Sequence, residues 1–216
     1  MKHNTKVRMK TFAALSAAVL MAGGVATAQT DKMDDANTMM ANWSMDAQKT
    51  AKGMMKLRGA PDEATPTMLV WHNSGPWKRI IAASTVTPHS FPGPHPDSLE
   101  QTLAYDVPEN KFDELARFDG SVTVDRTRGE MAARCDTEFH NVLALNLAHD
   151  IIIGKRSVEG ARAFYARVAK IEKMKKELHP YGLRLNFSPQ QNAGDPDHIM
   201  PQLQPMVRQM REMGKM

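Results

Sequence analysis

Apolar and polar positions divide the chain into a short series of helices and strands. Residues 29–42 are polar and Met-rich without periodicity, which predicts a flexible lead-in. A first helix is expected from Ser44, a capping residue, to Arg58, with Met54, Met55 and Leu57 on its apolar side and Gly59 and Pro61 ending it. Two β-rich runs, Thr67–His72 and Trp77–Thr85, flank Asn73-Ser-Gly-Pro76 and predict a hairpin. Between Pro88 and Pro96 four of nine residues are proline, which argues against regular helix or central strand and predicts an ordered loop or rigid linker. Leu99–Val107 reads as a third strand, Pro108–Phe118 as a short helix, Asp119-Gly120 as a turn and Ser121–Arg128 as a fourth strand.

Asp136 is a good helix cap, and from Thr137 to Ile153 apolar residues occupy nearly every side of the helical wheel, the pattern of a buried helix. Gly154 ends it and Ser157 caps an amphipathic helix reaching about Leu178, whose outer face carries Arg162, Arg167, Lys170 and Lys173. After Phe187 the composition turns to linker chemistry, followed by a short helix from Pro205 with Met206, Met210 and Met213 on one side. The expected fold is α+β: an antiparallel sheet of about four strands with helices packed on one face. Residues 43–187 form its single domain, and residues 188–216 are a linker and a short Met-rich amphipathic tail.

The first residues alter the electrostatic picture. Lys2, Lys6, Arg8 and Lys10 precede an apolar run, Phe12 to Met21, which is followed by Gly23-Gly24 and Ala26-Thr27-Ala28. This is the pattern of a secretory signal peptide, residues 1–28, cleaved near Ala28. The run is short of the roughly 20 residues needed to span a bilayer, and no later segment reaches that length. The formal charge of the whole chain is +4, with 28 basic and 24 acidic residues. Removing the leader takes away four basic residues and leaves 24 of each sign, so the basic balance is no argument for a nucleic-acid partner. A periplasmic or secreted location follows. Cys135 is the sole cysteine, so no intramolecular disulfide can form and stability must come from packing.

Four groups of residues carry candidate chemistry. His89, His95 and Asp97 bring two imidazoles and a carboxylate within nine residues on a proline-stiffened stretch, a donor set suited to zinc or copper, with His72 as a further candidate ligand. The same histidines also read as loop residues bonded to backbone carbonyls. Asn146, His149 and Asp150 share part of the buried helix, either lining a cleft or tying the helix to its neighbours. Cys135, just before that helix, would have its thiol acidified by the helix dipole and with His140, His149 or Asp150 would form a Cys/His catalytic site; equally, it is a buried, inert thiol, and Asp136 opposes thiolate formation. Trp71 and Trp77, with Lys78 and Arg79 at the hairpin tip, would form a partner-binding surface or pack into the sheet. The scattered methionines are ordinary helix and core residues.

The run Trp71 to Arg79, the His89, Phe91-Pro92, His95 and Asp97 loop, and the Asp119-Gly-Ser121 and Arg134-Cys-Asp136 stretches resemble an uncharacterised family of exported bacterial proteins. The resemblance covers most of residues 61–165 and implies a shared fold and an extracytoplasmic location, with no activity to carry over. The expectation is an exported protein that binds a metal or small ligand through the His/Asp loop. The alternatives are an enzyme using Cys135 and an interaction module using the Trp hairpin.

Overall fold

The computed structural model describes residues 29–215; the expected leader, Met1–Ala28, lies outside them. The fold is α+β. Residues 29–39 form α1, and α2 (Met45–Arg58) follows, with the Ser44 hydroxyl accepting from the Ala47 N–H at its start. Six antiparallel strands come next: β1 (Glu63–Ala64), β2 (Met68–Ser74), β3 (Trp77–His89), β4 (His95–Ala104), β5 (Val122–Asp125) and β6 (Glu130–Cys135), with α3 (Phe112–Phe118) between β4 and β5. Their spatial order is β1-β2-β3-β4-β6-β5. Helices α4 (Glu138–Ile152), α5 (Val158–Lys175) and α6 (Gln204–Glu212) complete the described chain. Among the described residues no helix is long and apolar enough to cross a membrane.

Side chains alternate between the two faces of the sheet. Leu69, Trp71, Ile80, Ala82, Leu99, Leu103, Met131 and Ala133 share one face through the strand register and are buried in one core with Met54, Leu143 and Leu147 of the covering helices. The opposite face carries Arg79, Glu100, Glu130 and Arg134. Gln101 is a polar exception on the apolar face. Its side-chain amide donates to Glu138 (2.9 Å) and accepts from Asn141 (3.1 Å), so a buried polar group is satisfied by the first turn of α4.

Four expectations are corrected. The sheet has six strands rather than four: β1 is a two-residue edge, and β6, Glu-Met-Ala-Ala-Arg-Cys, contains no β-branched or aromatic residue and gave no local signal. The proline-rich stretch is the end of a long hairpin, with Thr87, Pro88 and His89 opposite Asp97, Pro96 and His95. Prolines are tolerated there because this arm projects beyond Met68 of β2 and Cys135 of β6, the last residues to pair alongside, and no neighbouring strand needs an N–H. The lead-in is helical over residues 29–39, and its Ala36 and Met40 are buried in the core. The cap of α4 is Thr137, whose hydroxyl accepts from the His140 N–H, rather than Asp136.

The linker after Phe187 is docked over part of its length. The Gln190 N–H donates to the Ala104 carbonyl (2.9 Å) and the Asp195 N–H to the Arg126 carbonyl (3.0 Å). Gly129 at φ +60° lies under this strap, where an added Cβ would come within 2.1 Å of the Ala193 backbone.

Candidate functional site

His89 ends β3 and His95 begins β4, directly opposite across the hairpin, and Asp97 is two residues further along β4. All three therefore project from the helix-covered face, on the same side as Leu99. Phe91 at the hairpin tip packs edge-on against Tyr165 of α5 (5.3 Å between centroids), and the Arg162 guanidinium lies 3.9 Å above its ring. The tip is thus held against α5.

The ligand atoms are oriented by their neighbours. His95 Nδ1 is 2.8 Å from the Gly93 carbonyl, which only accepts, so the proton sits on Nδ1 and Nε2 of the neutral ring is a lone pair. Nε2 lies 3.1 Å from Asp97 Oδ1, at ion-pair distance but without hydrogen-bond alignment, and neither atom has a hydrogen-bond partner among the described residues. Asp97 is 2 % exposed. Its other oxygen accepts from the Ser121 hydroxyl and lies 3.4 Å from His89 Nδ1, while His89 Nε2 is 3.6 Å from Asp119 Oδ1. The Asp97 carboxylate above all raises the His95 pKa. Burial pushes the Asp119 carboxyl up, against the Ser121 N–H and His89, which hold it down.

A second set of groups adjoins the first. Cys135 is the last residue of β6, opposite Leu99, and its Sγ lies 3.5 Å from Asp136 Oδ1. The same oxygen is 2.9 Å from His140 Nδ1 in the first turn of α4, and His140 Nε2 is 2.8 Å from Glu172 of α5. Thr50 of α2 donates to the Asp136 carbonyl (3.1 Å), so three helices meet here. Burial, reinforced by Asp136, pushes the Cys135 thiol well above its ordinary range, the reverse of the helix-dipole acidification expected for a nucleophile. A cleft of about 720 Å³ runs over these residues, lined by His95, Cys135, Asp136, His140, Tyr165 and Glu172, with Lys49, Lys173 and Lys176 also in its wall.

Comparison with protein-family models, curated proteins and solved structures finds no match to this chain.

The remaining candidates go elsewhere. His72 is on the opposite face of the sheet, paired with Glu63 (2.6 Å); it faces Arg79, ten residues before His89, about 30 Å away at strand spacing. It is no ligand partner of the hairpin histidines. His149 and Asp150 lie near the far end of α4, at least 15 Å along the axis from Cys135, so they form no catalytic set with it. His149 bonds the Tyr105 hydroxyl (2.7 Å) and stacks on Phe187, and Asp150 accepts from Arg156 and Tyr181 (2.7 Å each). Asn146 donates to the Tyr181 and Arg184 carbonyls and accepts from the Asn186 N–H, the tying role. Trp71 and Trp77 are each 2 % exposed, and the Trp71 indole donates to the Gly59 carbonyl. They form sheet core rather than a docking surface.

Sequence reasoning missed Asp119, Ser121 and Glu172 as neighbours of the site, because they arrive from outside the hairpin, the first two from the turn between α3 and β5 and the third from α5. Asp136 and His140 did carry a local signal: an i, i+4 pair lies on one side of a helix start.

Proposed function

We propose that this chain is an exported protein that binds a divalent metal ion, zinc or copper, through His89, His95 and Asp97. One observation carries the reading: His95 Nε2 and Asp97 Oδ1 are buried 3.1 Å apart, and neither has a hydrogen-bond partner among the described residues. Buried polar atoms are nearly always bonded. Two lone-pair donors at this separation match ligands on one ion, since tetrahedral bonds of about 2.0–2.1 Å set their ends roughly 3.3 Å apart. His89 would supply the third donor, a ring nitrogen within 4.8 Å of the other two ligand atoms, with Nδ1 giving up its contact to the Ser121 hydroxyl (3.3 Å) if that is the nitrogen used. The nitrogen and oxygen donors suit zinc or copper.

The basic, apolar and small-residue order of Met1–Ala28 supports export, as does the resemblance to an exported family. In the oxidising compartments that export reaches, a chain with one cysteine gains no disulfide, and a bound ion would cross-link the hairpin instead.

The experiment is calorimetric titration of the purified protein with zinc and with copper(II), beside a His89→Ala/His95→Ala double variant. The reading predicts tight binding that weakens at least a hundredfold in the variant. Equal affinity in both proteins rejects it.

A further inference from the structure

The Cys135 group can be argued from lone pairs. Glu172 only accepts, so His140 Nε2 carries the proton that points to it (2.8 Å), and Nδ1 of the neutral ring is a lone pair. That lone pair faces another, on Asp136 Oδ1, at 2.9 Å, with the Thr137 hydroxyl 3.0 Å to one side. Without an ion, the Thr137 hydroxyl donates to that lone pair; a metal ion shared with Asp136 Oδ1 would take its place. The Cys135 thiol donates to the same Asp136 oxygen at 3.5 Å, so a sulfur, an oxygen and a nitrogen converge on one point, as the ligands of a single metal ion do.

We propose that Cys135 Sγ, Asp136 Oδ1 and His140 Nδ1 form a second metal site, selective for zinc and separate from the hairpin histidines. The three ligand atoms lie within 4.8 Å of one another. Around tetrahedral zinc, bonds of about 2.3 Å to sulfur and 2.0–2.1 Å to nitrogen and oxygen place sulfur and oxygen about 3.6 Å apart, and nitrogen and oxygen about 3.3 Å apart. The observed separations are 3.5 and 2.9 Å. Glu172 holds His140 as carboxylates commonly hold zinc-bound histidines, fixing the tautomer and the ring plane. On binding, the Cys135 thiol releases its proton to solvent, and thiolate with carboxylate balances the two charges of the ion.

All three ligands line the 720 Å³ cleft, which gives the ion a side from which a fourth ligand arrives from solvent. Lys49, Lys173 and Lys176 in that wall favour water or a small anion as that ligand. This is the arrangement of a metal site with an exchangeable position rather than a closed structural one. The soft sulfur donor separates it from the all-nitrogen-and-oxygen hairpin set.

The test is cobalt(II) titration of the purified full chain, read by the near-ultraviolet thiolate-to-cobalt absorption. The wild-type protein is expected to develop that band at one cobalt per site and to lose it when zinc is added. Cys135→Ser should abolish the band, and Glu172→Gln should weaken cobalt binding at least tenfold while the band persists. The band should survive in His89→Ala/His95→Ala, so failure of the hairpin site and failure of this one give different results. No band in the wild type, a band retained in Cys135→Ser, or a band lost in the hairpin double variant each overturns the proposal. Should Cys135→Ser not fold, His140→Ala and Glu172→Gln decide: unchanged cobalt affinity in both overturns it.

Discussion

His89 and His95 face one another across the last rung of the β3–β4 hairpin, with ring centroids 4.9 Å apart. A hairpin rung holds two imidazoles at this separation without any ligand to gather them, so the ordering entropy of the donors is spent during folding.

Phe91 should control that arrangement from outside it, because its ring fixes the hairpin tip against Phe118 and Tyr165 and under Arg162. Phe91→Ala is expected to lower stability by about 2 kcal/mol, less than a fully buried Phe because the ring is partly exposed. It should also weaken zinc binding at the hairpin about tenfold by freeing the tip. Denaturant unfolding and zinc calorimetry on the same variant measure the two effects.

Asn146 makes three hydrogen bonds to the backbone of residues 181–186, at 2.7, 2.8 and 2.7 Å. Asn146→Ala should cost about 3 kcal/mol, at about 1 kcal/mol per lost bond, and should release this segment from α4. Limited proteolysis is the readout, with new early cleavage after residue 178 in the variant.

How much of this was legible in the sequence depended on locality. The apolar wheel of residues 137–153 named a buried helix, and α4 is buried on nearly every side. The hairpin donors His89, His95 and Asp97 were also visible, since stiff local chain brings them together. Prolines concealed that this stretch is strand, because they are excluded from paired central strands and tolerated on an overhanging arm. His72 was misplaced for a different reason: parity along β2 and β3 decides its face, and register is a tertiary property. Of the partners that the sequence offers Cys135, the helix rise carries His149 and Asp150 away and leaves His140 beside it. Glu172 comes from α5 and lies 32 positions from His140, beyond any local pattern.

Asp150 gives the fold an acid-sensitive contact away from both candidate metal sites. Burial works to raise its pKa, and hydrogen bonds from Tyr181, Arg156 and Lys155 outweigh it, leaving the carboxyl below its ordinary value. A carboxyl depressed by folding stabilises the protein above its unfolded pKa of about 4 and loses that contribution as pH falls through the folded value. Asp150→Asn is expected to cost about 2 kcal/mol at neutral pH. The wild-type and variant stabilities should converge only below about pH 4, as followed by urea unfolding across the acid range.

The three tryptophans should be shielded. Trp43 is 7 % exposed, against 2 % for Trp71 and for Trp77. Acrylamide should quench the folded protein only weakly and the urea-unfolded protein strongly. Strong quenching in the folded state would return the Trp hairpin to consideration as a docking surface.

The central claim is that His95 Nε2 and Asp97 Oδ1, buried and without a hydrogen-bond partner among the described residues, belong to a metal site. Elemental analysis of the protein, purified from its own compartment without affinity tag or chelator, tests it most directly. The account predicts at least one equivalent of zinc or copper per chain, reduced in the His89→Ala/His95→Ala variant. Protein that comes out metal-free, or that keeps its full metal content in that variant, would contradict it.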